Sequence, residues 1–311
     1  MKTSSFKHFQ LPFENFNKAQ EAVVPFLDKD INVVIAFNTS VGKTALAECA
    51  FGYHLKRNNN SKVIYTCPYK SISEEKYASW HKNPQFGKKY KFKLDTSDYS
   101  STIEDFEKSR IMIMTTESLD AKTRSKAHWG WLRDVECIVI DEAHMLGIER
   151  RGSKLEAFMM RLTKINPSIR IILLSATMTN SLEMAKWVKS LNGKETKHVK
   201  SNWRPCVMEV NYHAFDYCDG YSREDKKINM VLELIKDYQD EKMVVFVHSK
   251  VTGGNIIKKI RASKIPVRCA FHNGSLSKSK KKDIEEAFKD PHSGLNVLVS
   301  TSTLSAGVNL N

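Results

Sequence analysis

Short runs of β-branched and aliphatic residues alternate with amphipathic stretches along most of the chain. Val33-Val34-Ile35, Val63 to Thr66, Ile111 to Met114, Cys137 to Ile140 and Ile171 to Leu174 are almost wholly apolar, as strands covered on both faces of a parallel sheet are. Helical spacing recurs between them. Leu46, Cys49, Ala50 and Tyr53 share one face, and Leu155, Phe158, Met159 and Leu162 follow an i, i+3, i+4, i+7 pattern. The alternation predicts a doubly wound α/β domain, in which ligands bind beyond the carboxyl ends of the strands. The segments at those ends are 38–44, 68–70, 115–117, 141–144 and 175–177.

The polar stretch Ser190 to Asn202 then intervenes, rich in Lys, Asn and Ser, and is expected to be the boundary between domains 1–200 and 201–311. A second α/β series follows it. A strand is expected over Cys206 to Tyr212, then a helix with Ile228, Val231, Leu232, Ile235 and Tyr238 on one face, then strands at Met243 to Val247, Val267 to Phe271 and Val297 to Val299. The run Lys278, Lys280, Lys281, Lys282 reads as the solvated side of a helix whose inner side is Ile284, Ala287 and Phe288. No repeat of solenoid period and no low-complexity segment occurs.

A length of 311 residues suits two domains, and 41% apolar with 27% charged residues is the balance of a globular protein. No stretch approaches the roughly 20 apolar residues of a membrane span, and the N-terminal residues lack an apolar signal core. An intracellular protein with no membrane partner is expected. Cys49, Cys67, Cys137, Cys206, Cys218 and Cys269 show no metal spacing and are expected as buried, reduced thiols. The net charge of +14 either marks a polyanionic partner or belongs to lysine-rich solvated faces; composition leaves both open.

Several strand ends carry chemistry. Gly42-Lys43-Thr44 stands between an apolar strand and a helix start, where free N–H groups and the helix dipole favour an anion, Lys43 can reach a phosphate and Thr44 can ligate Mg²⁺. Asn38, Thr39, Ser40 and Val41 complete the loop, with Phe37 where a phosphate loop usually has glycine. Asp141 and Glu142 follow the run Cys137 to Ile140, so that one carboxylate can hold Mg²⁺ through water and the other can activate the attacking water. The competing reading is a solvated acidic turn. His144 beside them is either an edge histidine or a relay; Ser175 and Thr177 are either capping hydroxyls or a link to the second domain. Gln20, preceded by Phe13 and Phe16, has an amide able to read an adenine edge, although those aromatics also suit a core. Ser300 to Thr303, with Gly307 and Asn309 beyond, suit a phosphate, and Phe271 to Gly274 is a strand-end turn.

Taken in order, these stretches resemble a superfamily 2 helicase, and within it the Ski2-like group. The glutamine motif resembles Phe16 to Gln20, motif I Phe37 to Thr44, motif Ia Pro68 to Ile72, motif Ib Thr115 to Glu117, motif II Asp141 to His144 and motif III Ser175 to Thr177. Motif IV resembles Val245 to Ser249, the histidine-glycine turn His272 to Gly274, and motif V Ser300 to Leu310. The most specific part is the continuation after motif II, with Leu146-Gly147, Arg151-Gly152 and Leu155-Glu156.

The resemblance implies two tandem RecA-like domains, the second incomplete. It implies an ATP- and Mg²⁺-dependent helicase or translocase moving along a single strand, 3′ to 5′ as in the family. By it, Gln20 reads adenine, residues 38–44 together with Gly307 and Asn309 hold the nucleotide, and Thr44 and Asp141 hold Mg²⁺. Lys43, Asp141 and Glu142 are the catalytic set, and His144, Ser175 and Thr177 couple the domains. Lys70, Thr116, Ser249 and Thr301 touch the backbone of a DNA or RNA single strand, or of a duplex with a single-stranded tail, with a repair, recombination or RNA-processing assembly as further partner. Motif I lacks an inner glycine at Ser40-Val41, and motif VI with its arginines lies outside these residues, so the chain is expected to be part of a longer helicase. The alternative is a nucleotide-binding scaffold without efficient turnover.

Overall fold

Seven parallel strands form the larger sheet of the computed structural model, which describes residues 1–176, 178–214, 220–301 and 304, apart from the side chains of residues 149–151, 220–222 and 278. The chain divides into two units, Met1–Met208 and Glu209–Asn311.

In the first unit the strands are β1 (Asn32–Phe37), β2 (Lys62–Cys67), β3 (Phe92–Asp95), β4 (Ile111–Thr115), β5 (Val135–Ile140), β6 (Arg170–Ser175) and β7 (Thr196–Ser201), in the order β3-β4-β2-β5-β6-β1-β7. Short helices α1 (Lys18–Glu21) and α2 (Val24–Leu27) precede β1. Then come α3 (Lys43–Arg57), α4 (Lys70–Lys82), α5 (Ile103–Lys108), α6 (Thr116–Arg124), α7 (Trp129–Arg133), α8 (Glu149–Ile165) and α9 (Ser181–Asn192). Side chains of β1 alternate between two cores: Val33, Ile35 and Phe37 join Leu46, Cys49 and Ala50 of α3, whereas Val34 joins Phe158, Met159 and Leu162 of α8. Burying both faces is what makes these strands continuous apolar runs.

Two parts of the sequence expectation change here. The boundary expected within the polar stretch 190–202 falls after Met208, because Thr196–Ser201 pairs along the whole of β1 as an edge strand of the first unit, Thr196 opposite Asn32 through Ser201 opposite Phe37. Its lysines and hydroxyls are what an edge strand carries, since one side faces water and bare edges invite aggregation. Second, the described residues 202–214 form no strand. Val207 and Tyr212 are more than 90% exposed, so the alternating pattern there has no sheet partner among the described residues.

Two buried polar residues lock the amino edge of the sheet. Asn32 donates to Asn192 Oδ1 (2.9 Å) and accepts from Ile171 N (2.9 Å). Arg170 donates to the carbonyls of Phe26 (2.7 Å), Leu27 (3.0 Å) and Ile31 (2.8 Å), so the residues leading into β1 are held to the start of β6.

The second unit holds α10 (Gly220–Asp237), β8 (Met243–Phe246), α11 (Lys250–Ala262), β9 (Arg268–His272), α12 (Lys278–Lys289) and β10 (Leu295–Ser300), with parallel order β8-β10-β9. Val297 and Val299 pack with Ile228, Ile235, Ile256 and Ile260, while Leu298 on the other face packs with Phe288. Lys280 and Lys282 are exposed on α12, opposite buried Phe288. Of the cysteines, Cys49, Cys67 and Cys137 are buried, and burial pushes the thiols of the last two up to about 12. Cys206 is exposed and Cys269 half-buried, against expectation, because the first lies in the unpaired segment and the second on a sheet less fully covered. Cys218 lies outside the described residues.

Candidate nucleotide site

At the carboxyl edge of the larger sheet the ends of β2, β5, β6 and β1 are consecutive neighbours. That order brings the 38–44 loop, Asp141-Glu142 and Ser175 to one edge of one unit.

The loop is shaped by two left-handed residues. Ser40 has φ of +61° and Gly42 φ of +82°. Glycine takes that conformation freely; for serine it is a strained backbone of about 1–2 kcal/mol. Between them Val41 is 1% exposed and packs in the α3-side core, so it offers a ligand only its backbone. The loop is pinned from α1: Asn17 Nδ2 donates to Val41 O (3.0 Å) and Gln20 Nε2 donates to Gly42 O (3.2 Å). Gln20 Oε1 accepts from Asn17 N (3.1 Å) in a capping box that starts α1. Asn38 turns the other way, donating to Asn202 O (2.9 Å). Thr39 is exposed, and Thr44 stands in the first turn of α3.

Lys43 Nζ donates to the loop's own carbonyls, Asn38 O at 2.9 Å and Phe37 O at 3.2 Å. Burial pushes this ammonium below its usual range, and the fields of Asp141 and Glu142 oppose that shift. Asp141 is fixed through its backbone N–H, which donates to Thr66 O (2.8 Å), and through Oδ1, which accepts from Glu142 N (2.8 Å). Glu142 is left-handed at φ +55°, a strained turn at the head of a 3-10 segment, Ala143–Gly147. Its carboxyl is pushed up, first by burial and then by repulsion from Asp141, with His144 and Lys43 pulling it down. His144 Nδ1 lies 3.2 Å from Glu142 Oε2. The loop thus brings a buried ammonium, and the end of β5 two carboxylates, to one edge of the sheet, groups of the kind that suit phosphate and a hard cation.

Other expected site residues are placed as follows. Ser175 is buried, with Oγ 3.0 Å from Met178 Sδ. Lys70, at the start of α4, is paired with Asp98 at 2.8 Å. Thr116 opens α6 and is buried. In the second unit Ser249 caps α11, its Oγ accepting from Thr252 N (3.0 Å), and buried Thr301 donates its N–H to His272 O (3.2 Å). Thr177, Gly307 and Asn309 lie outside the described residues. The sequence reading missed Asn17, which needed the α1 capping pattern to be recognised, and Tyr65, whose phenol donates to Asp141 Oδ2. Burial and Asp141 push the Tyr65 phenol far up, so it keeps its proton. It also missed the reason for the Arg-Gly signature: a Cβ on Gly152 would stand 2.2 Å from Leu146 O, so α8 closes on the preceding turn only with glycine there.

No group of three or more potential metal-binding side chains of His, Cys, Asp or Glu occurs among the described residues, nor does any helix there have the length and apolarity to cross a membrane. A sequence profile of the DEAD/DEAH box helicases matches residues 17–185, and one of the helicase conserved C-terminal domain matches residues 226–311. The ATP-dependent DNA helicase Hel308 of Thermoplasma volcanium is 30% identical, over 96% of this chain and 46% of that protein. Hel308 of Pyrococcus horikoshii is 31% identical, over 93% of this chain and 43% of the relative. The chain therefore spans less than half the length of these curated relatives. Among solved structures, the DUF1998 helicase MrfA bound to DNA and AMPPNP has a TM-score of 0.74 at 17% identity, over 96% of this chain and 43% of that one. At that identity the likeness speaks for the fold, two RecA-like α/β units.

Proposed function

This chain belongs to the DEAD/DEAH box helicases of superfamily 2, in the Ski2-like group, and from that premise we propose that it is the ATP-hydrolysing core of a helicase or translocase that moves 3′ to 5′ along a single strand. One observation carries the proposal: the loop bearing Lys43 after β1 and the Asp141-Glu142 pair after β5 stand at the same carboxyl edge of one sheet, with only β6 between the two strands.

In this reading Lys43 exchanges the carbonyls of Phe37 and Asn38 for β- and γ-phosphate oxygens, and the N–H groups of residues 40–44 cradle the phosphates. Gln20 keeps a second N–H and further lone pairs on its amide for an adenine edge while it braces Gly42. Thr44 and Asp141 would hold Mg²⁺, which supplies neutralisation of charge on the phosphates. Glu142, its ionised carboxylate made more basic by burial and by Asp141, takes a proton from the water whose oxygen attacks the γ-phosphorus, as the bond to the β–γ bridging oxygen breaks. Lys70, Thr116, Ser249 and Thr301 are proposed strand contacts, His144, Ser175 and Thr177 coupling residues, and Gly307 and Asn309 further nucleotide contacts. Contacts to backbone phosphates carry no base information, so binding is sequence-tolerant and salt-sensitive. Because the relatives are named DNA helicases, single-stranded DNA is the strand we propose first.

The test is ATP turnover with and without single-stranded DNA. Lys43→Ala is expected to lose Mg-ATP binding, and Glu142→Gln to bind ATP but lose turnover. Full turnover in Glu142→Gln would overturn the proposal.

A further inference from the structure

Tyr65 lies within β2, with the whole side chain at 0% exposure on the α3 side of the sheet. From β2 it reaches across to the end of the adjacent β5 and donates its O–H to Asp141 Oδ2. The other oxygen, Oδ1, accepts from Glu142 N at 2.8 Å, and the backbone N–H of Asp141 is held by Thr66 O. Both oxygens of this carboxylate are therefore anchored by protein donors, which fixes its rotation.

The tyrosine itself is held in place. Its ring meets Trp80 of α4 edge-on, centroids 5.2 Å apart at 76°, and Trp80 Nε1 donates to Glu48 Oε1 of α3 at 2.6 Å. Trp80 also lies edge-on to Phe51, 5.7 Å away. The helix that opens at Lys43 is thus linked to Asp141 through Glu48, Trp80 and Tyr65. A buried phenol must find a hydrogen-bond partner, but a backbone carbonyl would satisfy it equally well. Choosing the carboxylate orients a ligand in the way outer-shell partners orient metal ligands.

We propose that Tyr65 is a positioning residue that sets the carboxylate of Asp141 for Mg²⁺ bound with nucleotide. The inference rests on the ATP-site reading above. It assigns the phenolic oxygen, rather than the ring, the task of holding Asp141 against rotation.

The experiment is equilibrium binding of a fluorescent ATP analogue to the chain, titrated with Mg²⁺ or held in EDTA, for the parent, Tyr65→Phe, Asp141→Asn and the double variant. Tyr65→Phe keeps the ring and its contact with Trp80. It is expected to raise the Mg²⁺ concentration for half-maximal binding by about 10- to 100-fold, with affinity in EDTA within about twofold of the parent, because no donor to the nucleotide is lost. In the Asp141→Asn background the same change should add less than about twofold, since the residue it positions is already altered. A variant that melts earlier but keeps the parental Mg²⁺ dependence would overturn the inference and leave only a packing role. A parent whose analogue binding ignores Mg²⁺ would instead overturn the ATP-site reading, so the two failures are separable.

Discussion

Replacing Gly42 with alanine perturbs the 38–44 loop where its backbone is left-handed. Gly42 has φ +82° and ψ +37°, and a Cβ built there would lie 2.6 Å from Gln20 Nε2. An L side chain in the left-handed region costs about 1–2 kcal/mol. The amide tip of Gln20 must also move, giving up its hydrogen bond to Gly42 O, which contributes about 1 kcal/mol. The sum is about 2–3 kcal/mol, roughly 30- to 150-fold in an equilibrium constant. If the loop keeps its shape, the loss appears in the unfolding free energy; if it relaxes, the loss appears in affinity for Mg-ATP. Denaturant titration and analogue binding on the same variant capture both. Gln20→Ala in the Gly42→Ala background removes the moving partner, so the two substitutions should be coupled by about 1 kcal/mol. A Gly42→Ala chain with parental stability and parental affinity would refute the argument.

Further outcomes follow from the same site. Ser40→Gly relieves a left-handed serine worth about 1–2 kcal/mol and loosens the unfolded chain by about 0.4–1 kcal/mol; a net gain of up to about 1.6 kcal/mol is expected by denaturant titration, and a loss would contradict the strain at φ +61°. Glu142 holds its proton more tightly folded than unfolded, so its ionised form costs stability once pH exceeds its unfolded value. Glu142→Gln should therefore gain little at about pH 4, below the unfolded value, and progressively more as pH rises through the raised one; a larger gain at the acid end would reverse the assignment. Lys70→Ala should weaken binding of all single strands alike and reduce the slope of log affinity against log salt by about 0.7; an unchanged slope would remove Lys70 from the strand path.

Strands covered on both faces were legible because burial on two sides requires unbroken apolar runs, and β1, β2, β4, β5 and β6 were read in this way. β3 and β7 were not, since an edge strand is half wet and its sequence, Thr196 to Ser201 above all, resembles a loop. The reverse error fell on Cys206 to Tyr212, where β-like alternation is local while pairing depends on a neighbouring strand. At the site, Gly42-Lys43-Thr44 and Asp141-Glu142 were legible because each sits directly after an apolar run. The role of Val41 as a core anchor, the grip of Asn17 and Gln20 on the loop and the reach of Tyr65 to Asp141 were not, since each joins segments remote in sequence through one hydrogen bond or packing contact. The left-handed serine explains how a loop poor in glycine still turns.

In a helicase core of this kind, binding of nucleotide and binding of the strand are coupled. Coupling is reciprocal by thermodynamic necessity, so the most direct measurement is affinity for a short single-stranded DNA with and without a non-hydrolysable ATP analogue and Mg²⁺, paired with affinity for the analogue with and without the strand. Each ligand should change the affinity for the other by the same factor, about fivefold or more, and Lys43→Ala should abolish the effect. Tight binding of both ligands with a factor of one would contradict it.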